Sequence, residues 1–274
     1  MPIGSMYSRI SGSRLSALII RHLGVLDLHT HLRLRPLLAF AANQIHPGKT
    51  YRVLEIGCGD GVNGLELARL AGQRGAILHY RGIDIDPQCI ERARRIAQTL
   101  GLEDHIQFSR MEAGDVASFA AEPSDILILA DVLEHVDDPE RLLRDLRPAL
   151  AEDSLCLVSV PTPNYERVFD SSFHRKVGHV RSGYRLEELN SLFAGVGGRL
   201  IAHSYSTGLL GSLGCAVYYR LPATRGAVAA KSLLLSPFRL LDLYNSPSVS
   251  CSLFAAYSNH GVRSRVPPPS ISRK

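Results

Sequence analysis

Apolar positions in the first 50 residues recur every three to four, which predicts helical pieces over 13–23 and 32–45 before Gly48 ends the pattern. The period then switches back and forth. Residues 51–56 read as a buried strand, 62–73 as a helix, 77–84 as a strand and 87–100 as a helix. Asp86 stands where an N-cap belongs, Pro87 at the first helical position and Gly101 just past the last turn. A short strand over 106–109 and a weak helix over 115–121 come next. Residues 125–130 are a nearly continuous apolar run, the pattern of a parallel strand covered on both faces. A helix over 139–150 leads to a strand over 155–160, stopped by Pro161 and Pro163.

Residues 161–184 read as a polar-aromatic loop longer than an ordinary connection, which suggests a functional loop or lid. A helix over 186–193, a strand over 199–205 and a last strand over 250–257 complete the pattern. Between the last two strands, residues 207–247 are apolar and irregular, and the tail beyond 260 is expected to be disordered. Strand–helix units of this length predict an α/β fold with a doubly wound parallel sheet, its ligands outside the carboxyl ends of the strands. The expected organisation is a helical cap (1–50), a ligand-binding core (51–206), an insertion or lid with the last strand (207–260), and the tail (261–274).

Composition changes this picture little. Hydrophobic residues make up 45% and charged residues 21%, ordinary for a soluble globular chain. Five cysteines lie scattered with no CxxC pair, so neither a zinc ribbon nor a disulfide framework is indicated, and no metal site is expected. No stretch approaches the roughly 20 apolar residues of a membrane span, and the apolar run at 17–20 is short for a signal peptide. A cytoplasmic location follows.

Charge adds more. Residues 1–50 hold six Lys and Arg against Asp27, and residues 220–274 hold eight against Asp242, so the body between them is acidic. That distribution does not suit a dedicated nucleic-acid binder, which presents a basic domain face. Basic ends mixed with apolar residues fit a peripheral contact with an anionic membrane surface, or an anionic substrate, beside the plainer reading of solvated charge.

The stretch with chemistry is Val53-Leu54-Glu55-Ile56-Gly57-Cys58-Gly59-Asp60-Gly61. A strand runs through a glycine turn into a helix. Glycine lets a ligand approach the backbone, and the helix points its positive end at the same place. Two readings compete. Gly59, Gly61 and Gly64 satisfy G-x-G-x-x-G with Asp84 20 residues beyond, a dinucleotide fingerprint and hence an NAD(P)-dependent oxidoreductase. That set begins late, after Gly57-Cys58. The other reading is E-x-G-x-G-x-G. A P-loop is excluded, because no Gly-Lys-Ser/Thr follows.

Further landmarks favour the second reading: Gly82-Ile83-Asp84-Ile85-Asp86-Pro87, then Val132-Leu133-Glu134-His135-Val136 with Asp138-Pro139, then Val158-Ser159-Val160-Pro161. In this order and spacing, residues 51–205 resemble the Rossmann-like S-adenosylmethionine-dependent methyltransferases, closest to the small-molecule group that includes the quinone-biosynthesis enzymes. The resemblance implies a seven-stranded sheet with its last strand antiparallel, and S-adenosylmethionine as cofactor. It implies that Gly57 and Gly59 let the methionine and ribose lie against backbone, that Glu55 faces the cationic methionine end, and that Asp84 accepts from both ribose hydroxyls. Ile85 would cover the adenine, and Ala130 and Asp131 would touch the methionine portion.

An acid after the third strand would bind the adenine amino group. Glu112, followed by Ala113, is preferred over Asp115, although Met111 stands where the family usually has glycine. The usual Pro-Gly-Gly turn before the fifth strand is replaced by Pro148-Ala149-Leu150. The acceptor would be a small molecule, lipid-like or a secondary metabolite, methylated on O, N or C. Candidate general bases are His135, His174 and His179, and Arg181 could hold an acceptor carboxylate or phosphate. A catalytically inactive partner protein with the same fold is the remaining alternative, against which the intact Glu55, glycines and Asp84 stand.

Overall fold

A computed structural model describes residues 28–115, 122–167, 178–220, 234–235, 237–240, 242 and 245–259. Seven strands are described: β1 Thr50–Ile56, β2 Ile77–Asp84, β3 Ile106–Arg110, β4 Ser124–Ala130, β5 Leu150–Pro161, β6 Arg199–Ser206 and β7 Ser252–Ser258. The helices are α1 Leu28–Gln44, α2 Val62–Gln73, α3 Pro87–Leu100, α4 Pro139–Leu146, α5 Leu186–Ala194, α6 Leu209–Arg220 and the single turn α7 Pro237–Leu240.

The strands form one sheet in the order β3-β2-β1-β4-β5-β7-β6. Neighbours from β3 to β5 pair in parallel, while β7 runs antiparallel to both β5 and β6. The strand order turns around between β1 and β4, which opens a crevice at their carboxyl ends.

Alternation along the strands sends successive side chains to opposite faces. Val53, Ile126 and Ile128 join one core with Leu37 and Ala41 of α1, Leu65 of α2 and Ile90 and Ile96 of α3. Leu54, Leu127 and Leu129 join the other with Leu142 and Leu146 of α4 and Leu189 and Phe193 of α5. A third cluster gathers Leu28 and Leu32 of α1 with Tyr165, Cys215, Tyr218, Leu235 and Cys251.

The elements depart from the expected ones at a few places. The helix expected over 139–150 stops at Leu146. Arg147–Ala149 form a tight turn, because Pro148 has no N–H to give the ladder, and β5 already starts at Leu150. The early start is matched by a bulge against β4 between Ser124 and Ile126. The helix expected over 115–121 is a single turn at Ala113–Asp115 as far as it is described. Residues 207–247 are less irregular than their composition suggested, since they contain α6 and α7. The expected helix over 13–23 and the tail lie outside the described residues, and no described helix is long and apolar enough to cross a membrane.

Candidate functional site at the carboxyl ends of the strands

The turn after β1 is built from backbone. Gly57, Gly59 and Gly61 take φ of +66°, +52° and +77°, the left-handed region that glycine enters at little cost. A Cβ on Gly61 would stand 2.3 Å from the Phe108 ring and one on Gly57 2.7 Å from Val132 Cγ2. A Cβ on Gly59 would meet nothing within 4 Å, so the turn is open on that side. Cys58 N donates to Ile83 O at 2.9 Å, tying the turn to β2. Arg92 of α3 donates through Nε to Asp60 Oδ1 at 2.8 Å, holding the turn from the other side.

Asp84 ends β2 beside that turn. Its Oδ2 accepts from Gly59 N at 2.8 Å and its Oδ1 from Asp86 N at 2.9 Å. Ile85, next along, is an isoleucine 69% exposed. Met111 N donates to Asp84 O at 3.1 Å, which brings Glu112 and Ala113 alongside; Glu112 and Asp115 are both exposed.

Glu55 lies deeper. It is buried, and its carboxylate accepts from the Asn63 amide and the Tyr80 hydroxyl. Burial pushes its pKa up to about 8, against the opposing pull of those two donors. Cys58 is buried too, and burial with the nearby carboxylates drives its thiol far above the usual range, so it packs as a small apolar group.

The ends of β4 and β5 are built differently. Ala130 is buried and Asp131 takes φ +53°, a left-handed value in a non-glycine residue, with its N–H donating to Ser159 O at 2.8 Å. Arg33 of α1 reaches across to form an ion pair with Asp131. Glu134 is buried, its Oε2 has no hydrogen-bond partner among the described residues, and desolvation pushes its pKa up to about 8 even though Arg33 and Arg181 pull the other way. His135 and His179 meet edge to face with ring centroids 4.7 Å apart, and Tyr165 lies 6.1 Å from His179. His135 Nδ1 is 3.1 Å from Gly178 O. Arg181 donates to Val136 O at 2.6 Å and lies over the Tyr184 ring.

The expected residues Gly57, Gly59, Asp84, Ile85, Glu112, Ala113, Ala130 and Asp131 therefore line one edge of the sheet, and His135 joins His179. His174 lies outside the described residues. Arg33, in sequence one basic residue among six near the N-terminus, pairs with Asp131 at the end of β4 and acts on Glu134. Its signal was a cation set between Leu32 and Leu34, both buried. Glu134, His135 and His179 also place one ligand atom each within 4.8 Å of one another, a grouping that could accept a cation and that spacing had not suggested. The two guanidiniums acting on Glu134 oppose a divalent charge there.

A family model described as a methyltransferase domain matches residues 26–203. The tRNA 5-carboxymethoxyuridine methyltransferase of Escherichia coli (strain K12) is 37% identical over 95 residues, 35% of this chain and 34% of that protein. The ubiquinone biosynthesis O-methyltransferase of Aeromonas salmonicida (strain A449) is 38% identical over 93 residues, 34% of this chain and 36% of that protein. The chain thus spans about a third of the length of these curated relatives. Among solved structures, the plantazolicin methyltransferase BamL in complex with a triazolic desmethylPZN analog and SAH superposes with a TM-score of 0.54 at 14% identity, over 93% of this chain and 98% of that one. At that identity the likeness speaks for the fold.

Proposed function

The chain belongs to the methyltransferase-domain family, and from that premise we propose that it moves the methyl group of S-adenosylmethionine to a small-molecule acceptor. The observation that carries this is Asp84 at the end of β2, bonded to Gly59 N across an open glycine turn. A carboxylate there suits a vicinal diol, because its two oxygens can accept from both hydroxyls. Gly59 leaves room for the ribose and methionine against the backbone, and exposed Ile85 offers an apolar face to the adenine. Glu112 or Asp115 would accept from its amino group. The same turn would also accept a dinucleotide; the family match favours the methyl donor.

Asp131 and Arg33 form a charge pair at the methionine end. Asp131 would take the ammonium and Arg33 the carboxylate, so each opposite charge of an amino acid finds its complement. Glu55, its oxygens already engaged by Asn63 and Tyr80, would brace the floor beneath that end rather than bind it. Bound there, S-adenosylmethionine would supply a methyl carbon activated by its sulfonium, open to in-line attack by an acceptor's lone pair as the bond to sulfur breaks and S-adenosylhomocysteine leaves. The chain's share is chiefly alignment, which can contribute roughly 7–11 kcal/mol. For an acceptor that carries a proton, the His135–His179 pair would supply the base, one imidazole taking the proton as the bond to carbon forms.

Isothermal titration of the protein with S-adenosylmethionine tests this reading. Binding that is competed by S-adenosylhomocysteine supports it. No heat with either ligand, alongside a fluorescence change on titration of reduced nicotinamide cofactor, would replace it with the oxidoreductase.

A further inference from the structure

Helix α6 carries its residues the reverse of an ordinary surface helix. The face turned to α1 and α7 is made of Gly211, Gly214, Cys215 and Tyr218, all buried. A Cβ on Gly211 would lie 2.5 Å from Asp242 Oδ1, and one on Gly214 2.8 Å from Phe238 Cγ, so neither site has room for a side chain. The opposite face presents Leu209, Leu213 and Val217, exposed by 62%, 53% and 36%. Four residues apart, they form a single stripe. Ser212 is buried and returns its hydroxyl to Leu209 O at 2.9 Å. The helix holds no charged residue before Arg220, which is exposed at its end.

This orientation is fixed rather than accidental. Asp242 is buried and accepts from Thr207 N at 3.0 Å and Gly208 N at 2.7 Å, which pins the start of α6. The close glycine contacts hold the rest. Rotating the helix to bury the leucines would drive them into Asp242 and Phe238. A helix apolar on both sides needs an apolar surrounding on its outer side as well.

We propose that the outer stripe of α6 docks the protein on an anionic lipid bilayer, with the helix lying in the plane of the interface. Three features select this occupant over a second copy of the chain. The stripe is about 12 Å long at 1.5 Å per residue, a short seam beside the ~800 Å² that each partner of a stable pair buries. Leu234, 71% exposed, adds a further aliphatic side chain from the segment after α6. The charge is complementary: from Arg220 onward the sequence has eight Lys and Arg, and its one acid is Asp242, which is spent inside on α6. Exposed aliphatic side chains with the exposed Arg220 at the end of the same helix are what an interfacial helix offers to anionic headgroups.

Flotation of the full chain with phosphatidylcholine vesicles, with and without phosphatidylglycerol, tests the proposal independently of methyl transfer. The wild type is expected to float with the phosphatidylglycerol vesicles and less so in high salt. The variant Leu209→Glu/Leu213→Glu, altered only at exposed positions, is expected to lose at least about tenfold in partitioning while keeping its circular dichroism spectrum. Should that variant fail to fold, the neutral Leu213→Gln is read in the same assay and is expected to show a smaller loss. Failure of the wild type to float, or equal flotation of the folded variants, overturns the proposal. A dimer in sedimentation that the double variant breaks, without vesicle binding by either protein, assigns the stripe to a second copy instead.

Discussion

The two halves of the candidate site end neighbouring strands of one sheet, yet they are held by different means. After β1 and β2, the geometry is local backbone: three left-handed glycines, and an Asp84 carboxylate that ties Gly59 N to Asp86 N. After β4 and β5, it is made by side chains from separate parts of the chain. Arg33 comes from α1 to Asp131, and His179 comes from the segment after β5 to His135. A site held by backbone is rigid and accepts one shape. A site held by distant side chains can be retuned by one substitution without disturbing the other half.

The largest effect expected is at the donor half. Asp84→Ala removes the acceptor of two backbone N–H groups and of the ribose. At about 1.5–3 kcal/mol for each of two charge-assisted bonds to the ribose, S-adenosylmethionine affinity should fall by about 10²–10⁴-fold in calorimetry. Undiminished binding would show that this half is not the donor seat. The counterpart is Gly61→Ala. It forces a left-handed conformation on a residue whose Cβ would meet the Phe108 ring at 2.3 Å, and should cost about 2–4 kcal/mol of stability in urea unfolding. Gly59→Ala has the same sign of φ but open space, so about 1 kcal/mol is expected there. Equal losses at the two glycines would contradict the open side assigned to Gly59.

The histidine pair of the second half, beyond the Arg33–Asp131 pair proposed for the methionine, should respond in the opposite way. His179→Ala is expected to leave S-adenosylmethionine affinity within about twofold, yet to lower kcat about 10²-fold with an acceptor whose proton must leave. A loss of donor affinity instead would erase the division between the halves.

The same contrast explains what could be read from the chain alone. The glycine turn, Asp84 and the strand–helix alternation are short-range patterns, and short-range spacing reports short-range geometry. The sheet, with its antiparallel last strand, was legible for that reason together with the family resemblance. Arg33 was not, because its partner Asp131 lies about a hundred residues away and nothing nearby marks the pairing. The inward-facing α6 was hidden by its own composition: leucines on its exposed face and glycines on its buried one invert the usual signal. The early end of α4 is written in Pro148, which has no N–H with which to continue the helix.

The smallest effect joins the halves, because each buries one glutamate. Burial raises Glu55 and Glu134 to about 8 from an ordinary 4.5, so the folded chain holds these protons where the unfolded chain has released them. Their contribution to stability is therefore complete below about pH 4.5 and is lost as pH rises through about 8. Asp86, whose carboxylate is held below the usual range chiefly by Gln88 N, acts in the other direction but at lower pH, outside that window. The melting temperature should decline between about pH 5 and 9. In Glu134→Gln the decline should be shallower, since an amide stays neutral and no hydrogen bond to Oε2 is lost. Glu55→Gln should also flatten the profile but start from a lower melting temperature, because an amide offers one oxygen where the carboxyl group has two to meet Tyr80 and Asn63. A profile in Glu134→Gln as steep as the wild type's would place the titrating group in the donor half alone. It would then be Glu55 that couples the strand ends to pH.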